Sequence, residues 1–205
     1  MSGLRAQQKQ DRDRRILEAA SALFRSQGYG ATHIEQIAES AGLSVGTLYN
    51  YYKNKGDLLV AIVSIEVHDV LAAGAALVKN PPDDVALALD ALVAIYYDHS
   101  LVYLDKSMWR HAVAMTTLHS ETPSGQAYTA LDRALADQVT AMIAGLQARD
   151  RVRADLAPDP IGALVFNNLD RMFQTFIRDE AMSLEALKAT VAVHHAILAQ
   201  ALALR

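Results

Sequence analysis

The chain of 205 residues has no cysteine, only five prolines and ten glycines, and a single tryptophan. Without cysteine, disulfides, thiolate metal sites and cysteine nucleophiles are excluded. Helix-breaking residues are scarce in a chain rich in alanine and leucine, which favours helices. No segment alternates apolar and polar residues with the period of two that predicts a strand. We therefore predict an all-α protein without a sheet.

Signals for secretion, membranes and catalysis are also missing. The segment from Met1 to Arg15 is polar and lacks the apolar core of a secretion signal. The longest stretch free of Asp, Glu, Lys and Arg, Ala189–Leu204, has sixteen residues, too few to span a bilayer comfortably. No glycine-rich phosphate loop or H-E-x-x-H occurs. We expect a soluble cytoplasmic protein that is not an enzyme and holds no metal or cofactor.

Charge is distributed unevenly along the chain. The formal net charge is −4, yet residues 1–55 hold eight Lys or Arg against five Asp or Glu, while residues 56–205 hold eleven against eighteen. Because the local field governs binding to a polyanion more than total charge does, the basic first segment can still bind nucleic acid. We predict two domains, a DNA-binding domain over 1–55 and a second domain over 56–205.

The first segment contains the pattern of a helix-turn-helix. An apolar stripe that includes Ile16 and Phe24 predicts a first helix over about 11–27, preceded by a polar arm over 1–10. The arm's basic residues, Arg5 and Lys9, could touch phosphates, although a disordered start is favoured. Thr32 and Glu35 form a possible capping box for a second helix. After Gly42, Ser44 can cap a short third helix.

The third helix carries hydroxyls, an amide and lysines, which suit phosphates and base edges better than a core. At these residues the sequence, RRILEAASALFRSQGYGATHIEQIAESAGLSVGTLYNYYKNKGDLL, resembles the DNA-binding domain of the tetracycline-repressor (TetR) family of transcriptional regulators. The resemblance covers about fifty residues. It implies that Lys55 contacts a phosphate, and it leaves His33 as a departure from the small hydroxyl residue usual there. The expected DNA-binding residues are Thr32, His33, Ser44, Val45, Gly46, Thr47, Tyr49, Asn50, Tyr51, Lys53 and Lys55.

The second domain is predicted to contain six helices. Capping residues and prolines place them at about 55–78 (capped by Asn54 and Asp57), 84–100, 105–119, 124–148, 159–180 (with Asp159 as cap and Pro160 in the first turn) and 184–205 (capped by Ser183). Together with the three helices of the first domain, this makes about nine helices in the chain. The expected architecture is a three-helix DNA-binding domain, or head, followed by a helical bundle.

The last two predicted helices are apolar on more than one side, so they need covering on more than one side. We predict a homodimer through them, as the resemblance also implies; the alternative is that both are central helices of a monomer. In such a dimer, the third helix of each copy would be related to the other by a two-fold axis, and the pair would recognise an inverted repeat in DNA. The expected interface residues are Leu164, Leu169, Met172, Phe176, Leu184, Leu187, Val191, His194, Leu198 and Ala201, and Ala186, Val193, Ile197 and Leu204 form another face.

The resemblance implies a small-molecule pocket in the second domain. Aromatic or polar residues on otherwise apolar helices are the candidates, although such residues are more often ordinary core or structural residues. They are Tyr96, Tyr103, Trp109, His111, Met115, His119, Asn167, Phe173 and Phe176. Three functions stay open: a ligand-responsive dimeric repressor, a small-molecule-binding protein whose head no longer binds DNA, and a helical-bundle enzyme. The intact S-x-G-T-L-Y series favours the repressor.

Overall fold

The computed structural model describes residues 2–203, with side chains described from Ala6 onward, and its regular elements are all helices. Within that range the helices are α1 (Ser2–Gln27), α2 (Ile34–Ser40), α3 (Val45–Tyr49), α4 (Lys55–Lys79), α5 (Val85–His99), α6 (Lys106–Leu118), α7 (Pro123–Gln147), α8 (Pro158–Arg178) and α9 (Leu184–Leu202). The prediction of an all-α fold with a helix-turn-helix at its start is confirmed.

The chain divides into two compact units. One, here called the head unit, runs up to Ile65 and adds Tyr103–Tyr128; the other, the body unit, comprises Glu66–Val102 and the chain from Thr129 onward. Helix α4 begins in the head unit and continues in the body unit. The division at 55/56 predicted from sequence therefore stays a prediction for the functional domains, while the compact head unit also includes α6 and the start of α7.

Helix α1 begins at Ser2, so the predicted flexible arm over 1–10 is wrong for the described residues, and Met1 lies outside them. The segment from Ala6 to Gln10 holds good helix formers and no proline, so the helix extends once its later turns are anchored. Its arginine Arg14 pairs with Asp11 and Glu18 one turn away on either side. These exposed pairs add little stability.

Most predicted helix starts are confirmed. The side chains of Ser44, Asp84, Asp105 and Ser183 each accept a hydrogen bond from the backbone N–H three residues on. Two predicted starts are wrong. His33, not Thr32, precedes α2, and its N–H donates to Gln36 Oε1 at 2.8 Å. Helix α8 begins at Pro158, because a proline tolerates the first helical position, where its missing N–H would have no partner.

The head unit has its own apolar core. Because α1, α2, α3 and α4 each place apolar residues at helical spacing, their buried stripes meet, and the burial of each large side chain contributes roughly 1.5–3 kcal/mol. The fully buried side chains of this core include Ile16, Phe24, Ile37, Leu48, Leu58 and Leu59. The predicted core position of Leu48, which holds the third helix down, is confirmed.

The body unit packs α5, α8 and α9 together. Its core includes Leu89 and Leu92 from α5, Leu169 from α8, and Leu187 and Val191 from α9. One helix of the described chain, Lys55–Lys79, is long and apolar enough to cross a membrane by length and composition alone. Half of its most apolar stretch is buried within the protein, as in the core helix of a helical bundle.

Candidate nucleic-acid interface

The turn between α2 and α3 is fixed by the backbone and by α1. Gly42 adopts a φ of +65°, a conformation that favours glycine, and its N–H donates to Glu39 O at 2.9 Å. The Arg15 guanidinium of α1 donates to the carbonyl of Ala41, immediately before that glycine. Helix α1 thus fixes the end of α2 and the start of the turn that leads to α3.

Helix α3 presents a polar surface to solvent. Ser44 Oγ accepts from the Thr47 N–H at 3.1 Å and lies 2.8 Å from the Thr47 hydroxyl, so the two hydroxyls share one corner of the helix. Tyr49 is 49% exposed although it is a large apolar side chain, which is typical of a residue that contacts a partner. The other exposed predicted residues are His33, Gly46, Asn50 and Lys53, and Val45, Thr47 and Tyr51 are half-buried.

Thr32 does not belong to this surface. Its side chain is fully buried, and its hydroxyl donates to Gly28 O at 2.8 Å, behind the start of α2. The sequence-based assignment of Thr32 to DNA binding is therefore corrected. A threonine just before a helix can bond its own loop instead of a ligand, and here the loop carbonyl lies within reach.

Lys55 is also used inside the protein. Its Nζ lies 2.7 Å from Tyr29 O, 2.8 Å from Thr32 O and 3.3 Å from Gly30 O, and 4.7 Å from the centre of the Tyr29 ring. Burial lowers the pKa of this lysine. In the protein without DNA the ammonium points at the turn between α1 and α2, and the expected phosphate contact stays a prediction.

Tyr29 joins several parts of the head unit, a role that the sequence did not reveal. Its ring contacts Phe24 of α1 at 5.0 Å between centroids and His111 of α6 at 4.7 Å. Burial, followed by the charge of Asp57, raises the pKa of Tyr29. The only advance signal was the G-Y pair directly after α1, which gave no indication of the contact with His111.

Further contacts fix the start of α4 and the segment before it. Tyr52 donates to Asp13 Oδ1 of α1 at 2.7 Å, and burial, followed by this hydrogen bond, raises the pKa of the tyrosine. Asp57 accepts from the Lys53 N–H at 3.1 Å through Oδ2, and its other oxygen accepts from the Ser124 hydroxyl. Asn54 Oδ1 accepts from the Asp57 N–H at 2.9 Å, which confirms the predicted cap.

A groove of about 1040 Å³ opens within the head unit, beside α3 and the start of α4. Met115 and His119, both predicted as ligand contacts, line it together with Tyr49 and Tyr51. The Met115 side chain lies against Gly56, where a Cβ atom would meet its sulfur at 2.1 Å. The glycine therefore permits close approach of α6 to α4.

The predicted ligand residues are divided between the two units. Those in the head unit are Tyr103, Trp109, His111, Met115 and His119, of which Trp109 is buried and both histidines are exposed. Those in the body unit are Tyr96, Asn167, Phe173 and Phe176. Asn167 is exposed, and Tyr96 donates to Gln138 Oε1 at 2.7 Å, while Phe176 is fully buried. Their assignment to a ligand stays a prediction.

Within the body unit, sequence reasoning missed a pair of interacting carboxyl groups. Burial, and secondarily the charge of Asp170, raise the pKa of Asp132 to about 7. Burial raises the pKa of Asp170 as well, although Gln174 Nε2 donates to it at 2.7 Å. Tyr97, which feels the charge of Asp170 and has a raised pKa because of burial, lies 5.9 Å from the Phe173 ring. Aromatic rings and carboxyl groups therefore occur together here.

Several predicted interface residues are covered within one chain. Leu169, Phe176, Leu187 and Val191 are at most 3% exposed, so their side chains have no surface left for a partner. The assignment of these four to an interface is corrected, because the faces of α8 and α9 that carry them pack into the body core. Met172, Leu184, His194 and Leu198 are half-buried and Ala201 is exposed, while Leu204 lies outside the described residues.

Other apolar residues of α8 and α9 remain exposed. Val193 and Ile197 are 60% and 63% exposed, and Leu164 is 60% exposed. Val193 and Ile197 are four residues apart and therefore neighbours on one side of the helix. This face, which we call the α8–α9 apolar patch (Leu164, Val193 and Ile197), is the surface available to a second copy.

Neither of the adjacent histidines of α9 takes part in a cluster of ligands. His194 Nδ1 donates to Asn168 Oδ1 at 3.2 Å, whereas His195 Nδ1 donates to Asp90 Oδ1 at 2.6 Å. Among the residues that the structure describes, no three His, Cys, Asp or Glu side chains are close enough to hold a metal ion.

The first part of the chain is similar in sequence to known proteins. The sequence profile of "Bacterial regulatory proteins, tetR family" matches residues 16–62. The transcriptional repressor KstR of Rhodococcus jostii is 39% identical over 74 residues, 36% of this chain and 33% of that protein. The fatty acid metabolism regulator protein of Bacillus subtilis is 36% identical over 55 residues, 27% of this chain and 28% of that protein. The chain thus spans no more than about a third of the length of these two curated relatives.

Similar solved structures extend over nearly the whole chain. A TetR-family regulator from Pectobacterium atrosepticum has a TM-score of 0.76 at 20% identity and covers 98% of both chains. Thermus thermophilus FadR, a TetR-family repressor in complex with lauroyl-CoA, has a TM-score of 0.64 at 22% identity over 92% of this chain and 93% of its own. At these identities the likeness concerns the fold.

The first 62 residues thus contain a helix-turn-helix of the kind that binds DNA. Residues 16–62 match the TetR family of bacterial regulatory proteins, and the relatives that this part of the chain matches are transcriptional regulators.

Proposed function

We propose that this protein is a dimeric, ligand-responsive transcriptional repressor that leaves an inverted-repeat operator when a small molecule binds. The observation that carries the proposal is the exposed polar surface at α3, where Ser44, Tyr49 and Asn50 are exposed at or beside a helix held by a buried leucine. A helix of this kind enters the major groove, and its side chains contact phosphates and base edges.

Dimerisation rests on the α8–α9 apolar patch. One short helix in a groove makes few contacts, so tight specific binding requires two heads on two half-sites, roughly 34–36 Å apart or a multiple of this. The patch exposes Val193 and Ile197 on one side of α9, and Leu164 on α8. A second copy of the chain would remove these side chains from water, and a two-fold arrangement would pair the patch with itself.

The effector site is proposed for the body unit. Tyr97 and Phe173 stack near the paired Asp132 and Asp170, which combines aromatic surface with groups able to fix a ligand's orientation. Binding would release the operator if the effector favours a state of the dimer that does not fit both half-sites. A cytoplasmic location follows from the proposed contact with chromosomal DNA.

The test is binding of the purified protein to DNA flanking its own gene, measured by fluorescence anisotropy at several salt concentrations. We expect tight, salt-sensitive binding to an inverted repeat, and loss of specificity in Tyr49→Ala. Leu118→Ala, which shortens a 75% exposed apolar side chain at the end of α6, is the control. Weak binding that ignores sequence, both here and in a selection from random DNA, would contradict the proposal.

The same assay tests ligand response. Two probes are suitable first: lauroyl-CoA, the ligand of the Thermus thermophilus repressor, and a hydrophobic organic cation, which the carboxyl pair would favour. Release of DNA by either one supports the repressor and identifies the chemical class of its effector. Binding of a probe without any effect on DNA affinity would favour a small-molecule-binding protein that does not switch.

A further inference from the structure

The positive charge of the first 55 residues is concentrated at the beginning of α1. Residues 1–15 hold five Lys or Arg against two Asp, whereas residues 16–55, which include α2 and α3, hold three Lys or Arg against three Glu. The basic residues of the first range are Arg5, Lys9, Arg12, Arg14 and Arg15. A protein binds duplex DNA largely by neutralising phosphates. The range with α2 and α3 has no net charge, so the first turns of α1 supply the field that attracts DNA.

These first turns of α1 are not covered by the rest of the chain. The helix begins at Ser2, and every side chain from Ala6 to Arg12 is exposed. The first buried side chain that the structure describes in α1 is that of Ile16. A surface helix normally packs an apolar stripe on a core, but the segment from Ala6 to Arg12 has no buried residue. Packing within the chain therefore does not account for it.

Two cations of this segment, Lys9 and Arg12, keep their charges available. The two acidic side chains among the first fifteen residues are engaged elsewhere: Asp11 pairs with Arg14 at 2.7 Å, and Asp13 accepts a hydrogen bond from a tyrosine hydroxyl. Within the described part of the chain, the side chains of Lys9 and Arg12 make no ion pair and no hydrogen bond. An anionic partner could therefore bind both without displacing an existing contact.

The spacing of the helix places these two cations beside the helix-turn-helix. Asp13 accepts from Tyr52, shortly after the end of α3, at 2.7 Å, and the Arg15 guanidinium donates to the carbonyl that follows α2. Residues three or four apart lie on the same side of a helix. Lys9 is thus one turn before Asp13, and Arg12 is one turn before Arg15. The side of α1 that contacts the chain before and after α3 continues upstream as two exposed cations.

We propose that Lys9 and Arg12 bind backbone phosphates of the DNA that flanks each half-site, outside the base pairs that α3 reads. Helix α3 has only five residues, so the duplex extends past it on both sides. Phosphate contacts fix the position of a protein on DNA without reading its sequence. The inference rests on the proposed function, since α3 must place the head on the operator. It adds that affinity depends on α1 and on DNA beyond the inverted repeat.

The first test measures fluorescence anisotropy over a range of salt concentrations, on an operator with roughly one helical turn of extra DNA at each end. Lys9→Gln and Arg12→Gln keep good helix formers at exposed positions, and circular dichroism verifies folding. Each should reduce the slope of log affinity against log salt by roughly 0.9 for each bound chain. Between 1 M and 0.1 M salt this slope is a factor of about eight, which is the expected loss of affinity per chain at 0.1 M.

Arg14→Gln is the matched control for these variants. It removes one charge from the same helix, but from an arginine that already pairs with Asp11 and Glu18. Its slope and affinity should therefore stay within about twofold of the wild type, because an already neutralised charge releases few counterions. If all three variants lose the same slope and affinity, only the overall charge matters, and the proposal is wrong.

The second test locates the contact on the DNA. Uncharged methylphosphonate linkages replace the phosphates of the flanks and leave the inverted repeat unchanged. The wild type should bind this DNA as weakly as the double variant Lys9→Gln/Arg12→Gln binds the ordinary operator, and the double variant should not respond to the replacement. Wild-type affinity that is unaffected by neutral flanks would refute the contact with flanking DNA.

The proposed function and this inference can fail separately. If the wild type shows no preference for an inverted repeat, the proposed function fails, and binding to a random-sequence duplex then tests the phosphate contacts, since such binding is almost wholly electrostatic. There Lys9→Gln and Arg12→Gln should again have smaller salt slopes than Arg14→Gln. Equal slopes on that duplex, or no binding to DNA of any sequence, would overturn the inference.

Discussion

His195 of α9 is buried and pairs with the half-buried Asp90 of α5, with 2.6 Å between Nδ1 and Oδ1. The imidazole is only 2% exposed, and its Nε2 has no hydrogen-bond partner among the described residues. Burial lowers the pKa of His195, an effect that the bond to Asp90 opposes but does not cancel. The neutral ring is therefore the form that the folded protein favours.

This pair predicts a loss of stability on acidification. In the unfolded chain the pKa of the histidine is about 6.5, above its value in the folded state, so the unfolded state takes up a proton first. The free energy of unfolding should fall as pH drops from about 7 towards the lower folded pKa. Urea unfolding between pH 7.5 and pH 5 measures this dependence. His195→Gln should flatten it, while His119→Gln, at an exposed position, should not; an equal effect of both would contradict the assignment.

Asp132 predicts the opposite dependence of stability on pH, over a pH range that overlaps that of His195. Its pKa is about 7 when folded, against about 3.9 when unfolded, so stability should be lost as pH rises from about 4 to 7. Asp132→Asn should raise the free energy of unfolding at pH 8 by about 1–2 kcal/mol and have little effect near pH 4. Asp137→Asn, an exposed change on the same helix, is the control for urea unfolding. A gain equal at both pH values would point to packing instead of ionisation.

The features predicted correctly from sequence depend on neighbours in the chain. Ser44 and Ser183 cap helices through an N–H three residues away, and such spacing can be read directly. The start of α4 at Asn54 and Asp57 follows the same rule. Periodicity likewise predicted the buried stripe that includes Leu48.

The features that were missed depend on residues distant in sequence. Lys55 meets carbonyls more than twenty residues earlier, and its charge gave no indication of these contacts. Asp132 and Asp170 lie on different helices, and neither has a local signal that marks it as buried. The sequence correctly predicted that α9 is apolar on two faces. It could not show which of these faces packs into the core of the same chain and which stays exposed.

Ser44 allows helix stability and DNA binding to be separated. Ser44→Ala removes the acceptor of the Thr47 N–H and should lower the free energy of unfolding by about 1 kcal/mol. Ser44→Asp keeps a capping oxygen, and should therefore stay close to the wild type in stability, but places a negative charge beside the proposed phosphate surface. Chemical unfolding and operator anisotropy measure the two effects. Wild-type DNA affinity in Ser44→Asp would mean that this end of α3 does not approach the phosphates.

The α8–α9 apolar patch predicts the oligomeric state. Val193 and Ile197 are largely exposed in a single chain, so a glutamate at either position costs the monomer little, yet it would bury a charge at an interface between two copies. Val193→Glu and Ile197→Glu should convert a dimer into a folded monomer in sedimentation velocity, with unchanged helix content. Both variants should also lose affinity for the full inverted repeat while retaining weak binding to a half-site.

Leu118→Glu is the matched control for this experiment, because Leu118 is a 75% exposed leucine on α6, outside the patch. It should remain a dimer at the same protein concentration. If all three variants sediment as the wild type does, the patch is not where two copies meet. If the wild type is itself monomeric at concentrations where it binds the full repeat with high affinity, the two-headed arrangement fails even though each head can still bind DNA.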